Sequence, residues 1–389
     1  MKGISVFVLV ESHGQPYDGA LYEVKLEGKE SEEAAGKAGV ESPLPVLDPV
    51  FEFFDKSLAL PKHCLFGGAR LDSSKLYLTA NGNPWPHNKR LTTPKCFVFD
   101  TVNSNSISAL NFQHCISPPK AAKSVSALMS AYGMLYYLAC PSCAPEIPKP
   151  SFECYDPATN SWRRLPPCPY RTMHGPCMEV LGFAVCYGYI LISFYNHNES
   201  AAMAFHIDTQ KWHPVQVCQS KDAYPFRGRA VVVDGMIYAL SWRQGQVIAF
   251  SFSRDSDGNC FLGAAISLQL RNTSHPPSPL RGMRTQSLVH LGTQDFCLIQ
   301  TGRNEYSIEH QYMRVTTFQI LHKGGARVVR TLHSSVYQVD IKGGYFFVDF
   351  AFTPDCKDIE PEEKDCPIVP VKTESLSTLE DNKSKEDCR

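Results

Sequence analysis

Apolar residues in this chain fall into short runs broken by Pro, Gly, Asn, Asp and Ser, and the clearest unit is Phe152 to Pro167, FECYDPATNSWRRLPP. Phe152, Cys154 and Tyr155 predict a strand that ends at Asp156-Pro157, because proline has no amide proton to give to a sheet ladder. Thr159, Asn160 and Ser161 supply a polar turn whose side chains bond their own backbone. Trp162 to Leu165 restarts a strand, and Pro166-Pro167 closes it. A lone hairpin of this size cannot bury its apolar face, so the unit requires copies of itself. Seven residues separate Tyr155 from Trp162, and the same interval separates Phe205 from Trp212 in AFHIDTQKW, where Ile207-Asp208-Thr209 stands in for Asp-Pro-Ala-Thr. A third copy, FVFDTVNSNSISAL, keeps Phe99, Asp100 and the Asn/Ser turn without the tryptophan. Recurrence at intervals of about fifty residues marks a repeat protein.

These units resemble the kelch repeat, which reads as an apolar strand, a Gly-x-hydrophobic-Tyr strand, an aromatic-Asp-Pro strand and a Trp strand. In that family each unit is one four-stranded blade of a β-propeller. The second element is matched by Val232-Val233-Asp234-Gly235-Met236-Ile237-Tyr238-Ala239-Leu240. Further matches lie at Tyr132 to Leu138, Gly182 to Ser193, Leu71 to Thr79, Leu291 to Gln300 and Ile341 to Phe350. The centres fall near residues 73, 133, 187, 235, 293 and 343, which are 50 to 60 residues apart, so six blades are expected. The glycine pair that usually ends the second kelch strand is missing from all of them. The resemblance covers most of Cys64 to Phe352 and is nearest to divergent kelch proteins of the galactose-oxidase-type superfamily. Many of those are plant proteins that also occur behind an F-box, and no F-box-like helical leader is read ahead of the blades here.

Two strands, Ile4 to Val10 and Ala20 to Leu26, precede the first centre, and the sixth centre supplies two more, Ser335 to Ile341 and Tyr345 to Phe352. Pooling the pairs gives one blade made from both chain ends, which removes the open sheet edges that invite aggregation. The expected fold is therefore all-β: a six-bladed kelch-type β-propeller closed by pairing of its N- and C-terminal strands, with a disordered acidic C-terminal tail. The propeller is assigned to residues 1–355, with a flexible insertion at 28–49 rich in Glu, Ala, Gly and Lys. The tail, 356–389, holds ten acidic and six basic residues, a net of −4, so the rest of a chain at −1 carries +3. So polar a segment cannot offset its ordering entropy.

The near-neutral total excludes a field able to hold nucleic acid or an anionic membrane. Fifteen cysteines is an odd number in a long chain, and Cys186 and Cys297 sit within apolar runs, where a free thiol acts as a small hydrophobe. A reducing compartment, cytoplasmic or nuclear, is expected. Met1 to Val10 reads as a strand rather than a signal peptide, and no apolar run is long enough to span a bilayer.

Candidate chemistry is sparse. No nucleophile elbow, zinc-protease helix, phosphate loop or dinucleotide fingerprint is present, and nothing matches the copper ligand set of galactose oxidase. Cys140-Pro-Ser-Cys143 has the spacing of half a zinc site without a second pair. Asp255-Ser-Asp257-Gly258-Asn259 opens like a calcium loop, lacks the remaining ligands and reads as a hairpin turn. No cofactor and no metal are expected, and the chain is read as non-catalytic. Arginines recur just before the first strand of several units: Arg171 with His174, Arg227 with Arg229, and Arg281 with Arg284. In kelch propellers the loops entering that strand gather round one mouth of the ring. A positive rim there, with Trp85 or Trp242 beside it, would suit an acidic peptide. The alternative is that these arginines brace neighbouring blades. Lys372, in Val371-Lys372-Thr373-Glu374, resembles a SUMO attachment site. The leading expectation is a monomeric scaffold that recognises a protein partner through propeller loops. A small-molecule binder or degenerate enzyme in the central channel, and the substrate-recognition part of a ubiquitin ligase, are the alternatives.

Overall fold

The computed structural model describes residues 3–12, 19–26, 44–52, 64–71, 74–82, 94–101, 116–123, 126–140, 149–169, 179–196, 199–217, 226–242, 246–270, 281–303, 311–323, 325–339, 346–354, 356 and 360–368. Among them every regular element is a β-strand except one 3-10 turn, Glu363–Asp365. The chain opens with β1 (Ile4–Ser12), β2 (Gly19–Leu26), β3 (Val46–Leu47) and β4 (Pro49–Glu52). A first sheet follows, made of β5 (Cys64–Arg70), β6 (Lys75–Gly82) and β7 (Lys95–Asp100). The second is β8 (Ser126–Ala131), β9 (Met134–Ala139), β10 (Phe152–Asp156) and β11 (Ser161–Arg164). The third is β12 (Glu179–Cys186), β13 (Tyr189–Asn196), β14 (Glu199–His206) and β15 (Lys211–Val217). The fourth begins with β16 (Phe226–Val233), β17 (Met236–Ser241) and β18 (Val247–Phe250). The chain then leaves for the hairpin of β19 (Phe252–Arg254) and β20 (Cys260–Leu262), whose β20 runs parallel to β15, and returns as β21 (Ile266–Leu268) beside β18; this pairing and that of β12 with β16 join the third and fourth sheets into one of ten strands. The fifth is β22 (Arg281–Gly292), β23 (Asp295–Arg303), β24 (Gln311–Lys323) and β25 (Ala326–Val339), and β26 (Phe346–Phe352) ends the strand series.

The last strand pairs antiparallel with the first, from Phe7↔Phe352 to Ser12↔Phe346, so both chain ends share a sheet of order β26-β1-β2-β4. Val6 and Phe347 thus belong to one sheet. Within it the contributions are one strand from the C-terminal side and three from the N-terminal side, where the sequence pattern predicts two and two. Residues 335–339 instead finish β25, which pairs with β24 from Lys323↔Ala326 to Gln311↔Val339. The end of the expected insertion is also strand: Val46 and Leu47 of β3 run parallel to the end of β25, and Pro49 starts β4. Residues 28–43 lie outside the described residues.

Side-chain alternation explains why the strands read as unbroken apolar runs. Successive residues of a strand point to opposite faces, and here both faces meet another sheet. On β9, Leu135 and Tyr137 pack toward the first sheet with Ala69 and Tyr77, while Tyr136 and Leu138 pack toward the third with Ile190, Ile192 and Phe205. On β17, Ile237 and Ala239 join Ala184 and Leu191 of the third sheet, and Tyr238 and Leu240 join Phe296 and Leu298 of the fifth. On β1, Val6, Val8 and Val10 meet Ile299 and Met313 of the fifth sheet, and Phe7 and Leu9 meet Leu76 and Phe97 of the first. Tyr136, Tyr137 and Phe152 are fully buried in this way. Each such side chain contributes about 1.5–3 kcal/mol relative to exposure. The leading strands also touch in sequence: β26 with β5, β5 with β8, β8 with β12, β12 with β16, β16 with β22, and β22 with β26.

The seven-residue interval is the register of a hairpin. Tyr155 lies opposite Trp162, with ring centroids 5.3 Å apart, and Phe205 lies opposite Trp212 at 4.9 Å. Each tryptophan reaches back to the preceding unit. The Trp162 indole N–H donates to the Ser117 carbonyl at 2.6 Å, and that of Trp212 donates to Pro166 at 3.0 Å. The tryptophan therefore ties one repeat to the last.

Candidate functional site

Two ends of the sheet assembly carry the polar residues of interest. The leading ends of β16 and β22 hold four of the arginines picked out by the sequence, Arg227, Arg229, Arg281 and Arg284. Arg227 and Arg229 stand near the start of β16, both half-buried. The Arg227 guanidinium lies 5.0 Å from the centre of the Trp242 ring, and Trp242 in turn lies 6.1 Å from Tyr195. Burial lowers the affinity of Arg227 for its proton. Stacking on an aromatic face offsets that desolvation, because the ring quadrupole attracts a cation. Arg229 sits opposite Phe183 where β12 and β16 meet as parallel strands, and Gly182 sits opposite Gly228. The backbones approach so closely there that a Cβ on Gly182 would fall 2.6 Å from the Gly228 oxygen. Gly228 itself has a φ of +68°, which favours glycine.

Of the other residues expected at this end, Arg281 and Arg284 start β22, and Arg281 pairs with Arg303 across the hairpin. Arg171, His174, Trp85 and Lys372 lie outside the described residues. The structure thus brings Arg227 and Trp242 together and adds Tyr195, which the sequence reading missed. Cys140 accepts a hydrogen bond from the Val180 N–H at 3.2 Å. Among the described residues, no group of three or more His, Cys, Asp or Glu is placed to hold a metal ion. Asp255 accepts the N–H groups of Asp257 and Asn259, at 3.0 and 2.8 Å, closing the β19–β20 turn.

The trailing ends carry a site that no motif announced. Three first-to-second-strand turns are Tyr132-Gly133, Tyr187-Gly188 and Asp234-Gly235, all with positive φ between 46° and 79°. Two consecutive positive φ values match the primed hairpin turns that suit strand twist. Such a turn leaves the N–H of its first residue pointing away from the sheet, in need of an acceptor. Residues 360–368, expected to be part of a disordered tail, supply acceptors. The Glu360 carboxylate accepts from Tyr132 N–H. The Pro361 carbonyl accepts from Tyr187 N–H at 2.9 Å and from the Tyr132 hydroxyl at 2.8 Å. That hydroxyl accepts in turn from Gly188 N–H at 2.7 Å, and burial pushes its pKa up. Glu363 accepts from the Arg254 guanidinium at 2.6 Å and lies 3.2 Å from His206 Nε2. The hydrogen bond from Arg254 is the main reason its carboxyl is held below the ordinary glutamate range. Cys366 is buried with Cys186 and Cys260, and the Pro367 carbonyl accepts from Arg254 N–H at 3.0 Å. Upstream, Arg70 donates to the carbonyls of Thr353 and Cys356, and Cys356 Sγ lies 3.6 Å from His290 Nδ1. Composition made this stretch read as disordered because its anchors are two carboxylates, two backbone carbonyls and one thiol. Such anchors leave no apolar period.

His206 is the least expected member. The register aligns it with Asp156 of the preceding unit, since Tyr155 and Phe205 hold equal places before their tryptophans. Asp156 caps its turn by accepting from Ala158 N–H and the Thr159 hydroxyl. His206 Nδ1 does the same work with Thr209, 2.8 Å from its hydroxyl and 3.2 Å from its N–H. Its second nitrogen then faces Glu363.

No helix among the described residues is long and apolar enough to cross a membrane. No curated protein matches the chain. Among solved structures, TolB from Acinetobacter baumannii shares 10% identity at a TM-score of 0.44, covering 92% of this chain and 67% of that one. An auxiliary nutrient binding protein from Bacteroides ovatus shares 12% at a TM-score of 0.36, covering 69% of this chain and 56% of that one. A putative 6-phosphogluconolactonase from Bacteroides uniformis shares 12% at a TM-score of 0.37, with 86% and 83% covered. One family model matches, over residues 6–337, and the chain belongs to that family, DUF1668, described as a protein of unknown function.

Proposed function

We propose that this chain is a six-bladed, kelch-type β-propeller acting as a non-catalytic scaffold that recognises a protein partner. Support for the ring comes from the cycle of sheet interfaces. Six buried clusters join the shared sheet to the first, the first to the second, and so on until the fifth meets the shared sheet again. A stiff ring of this kind displays loops of unequal length at fixed positions, and selection by shape and charge follows. The observation that carries the recognition reading is the cluster of Arg227, Trp242 and Tyr195, with Arg229 two residues further along β16. Arginine and tryptophan are the residue types that dominate binding hot spots, and a guanidinium already partly stripped of water gains most from a carboxylate. The partner surface it fits is acidic and presents a carboxylate to Arg227 or Arg229.

The reading supposes a reducing compartment, cytoplasmic or nuclear. Cys96, Cys154, Cys186, Cys260, Cys297 and Cys366 are buried free thiols, which fits that setting. The test is affinity purification of the intact protein beside the Arg227→Glu and Arg229→Glu variants, each first shown to be folded. A specific partner held by the native chain is expected to be lost from both. Equal recovery from all three would remove the rim from the account.

A further inference from the structure

The segment 360–368 has the character of a bound ligand more than of a structural element. It forms no sheet beyond a single parallel bridge, Arg254↔Ile368. Glu362, Lys364, Asp365, Pro367 and Ile368 are exposed, and Cys366 alone is deeply buried. The Glu363 side chain keeps 38% of its surface in water although it makes the principal charge contact. The surface beneath is built differently. Its donors are fixed by two primed turns, by a Tyr132 hydroxyl that accepts from the Gly188 N–H, and by the Arg254 hairpin, whose own turn Asp255 closes.

One residue marks that surface as adapted to an acidic occupant. The repeat places Asp156 at the turn position in the second sheet, and the equivalent position in the third is His206. An aspartate would cap this turn equally well, as Asp156 does, but would set a like charge against Glu363. The histidine keeps the cap through Nδ1 and leaves Nε2 buried 3.2 Å from the Glu363 carboxylate, within ion-pair distance though not aligned for a hydrogen bond.

We propose that the trailing ends of the second and third sheets, with the Arg254 hairpin, form a binding site for an acidic peptide of the form Glu-Pro-x-Glu-x-x-small. Residues 360–368 are its intramolecular occupant, and a peptide of the same form displaces them. Recognition uses the first carboxylate at the Tyr132 N–H and the proline carbonyl at Tyr187 and Tyr132. It continues with the second carboxylate at Arg254 and His206, and with a small side chain entering beside Cys186 and Cys260. The mode is that of an extended segment read by fixed backbone donors and one arginine. It lies at the opposite end of the sheets from Arg227, so it stands or falls independently of the rim.

The probe is a fluorescent synthetic peptide spanning residues 359–369, read by polarisation. A chain ending after Cys356, which keeps the Arg70 contact, is expected to bind it saturably. The full chain should bind at least about tenfold more weakly, because its own segment competes at high effective concentration. In the truncated chain Arg254→Ala, and in the peptide Glu363→Ala, should each weaken binding by about ten- to hundredfold, the scale of one charge-assisted hydrogen bond. A second arm uses the full chain. His206→Asp and the pair Glu360→Ala with Glu363→Ala should speed tryptic cleavage after Lys364, and the pair should also gain probe binding. A folded truncated chain that ignores the probe, or binds it with no loss on Arg254→Ala, overturns the proposal. Should the truncated chain not fold, unchanged cleavage and no probe binding in the paired variant overturn it equally.

Discussion

Lys123 and Glu153 are the residues whose chemistry contrasts most with their surroundings. Both side chains are fully buried between the first and second sheets and form an ion pair, with the Lys123 ammonium 4.1 Å from the centre of the Tyr137 ring. Burial pulls the lysine pKa down, and the attraction of Glu153 opposes that pull. The glutamate also accepts from Lys120 N–H at 2.9 Å, so each of its oxygens has a donor. Removing one partner leaves the other charged and dry. Lys123→Met or Glu153→Leu alone should therefore cost about 3–5 kcal/mol in urea unfolding, while the double variant should recover most of that loss. If the double variant is as unstable as the sum of the singles, the pair is not the source of the cost. Residue scale is also where sequence reading was least complete. The tyrosine-to-tryptophan interval was visible, yet the polar turn was aligned on Asp208 when the hairpin register aligns Asp156 with His206, because only cross-strand pairing counts residues from the aromatic onward.

At the scale of elements, the tightest constraint is the meeting of β12 and β16. A Cβ on Gly182 would lie 2.6 Å from the Gly228 oxygen and 2.9 Å from the Arg227 carbonyl carbon, all backbone. Neither strand can yield without dragging a sheet with it, so Gly182→Ala should cost about 1–3 kcal/mol by overpacking. It should also perturb Trp242 fluorescence, since Arg227, whose guanidinium lies over the Trp242 ring, rides on the facing strand β16 that the added Cβ would displace. Gly3→Ala, which has open space around its Cβ, is the control and should stay within about 0.5 kcal/mol of the native chain. Strand positions were largely legible because the central strands β9, β13 and β17 are apolar on both faces and are entered through turns carrying Gly133, Gly188 and Gly235. What the pattern could not supply was membership. Residues 335–339 alternate like any strand, and their place in β25 depends on an unbroken ladder from Lys323↔Ala326 to Gln311↔Val339. Likewise β3 and β4 are too short to show a period, and only pairing with β25 and β2 makes them strands. The trailing-end site was illegible for a related reason: Tyr132 and Tyr187 look like ordinary turn residues until a segment more than 170 residues away accepts their N–H groups.

At the scale of the whole molecule, everything depends on how the chain ends meet. β26 pairs with β1 and contributes Phe350 and Phe352 to the cluster with the first sheet and Val348 to the cluster with the fifth. Each of these side chains is worth about 1.5–3 kcal/mol when buried, and a domain is typically stable by only about 5–15 kcal/mol. Losing all three is therefore on the scale of the total, and it leaves β1 with an unpaired edge open to other chains. A chain stopped after residue 345 should lose its cooperative thermal transition and associate in size-exclusion chromatography. One stopped after Cys356 keeps β26 and the Arg70 contacts and should melt close to the native midpoint as a monomer. The contrast separates closure from docking of the acidic segment, because both truncations remove residues 360–368 and only one removes the strand. If the chain lacking β26 melted like the native protein and stayed monomeric, the shared sheet would not be what holds the first and fifth sheets together, and the ring would have to be abandoned.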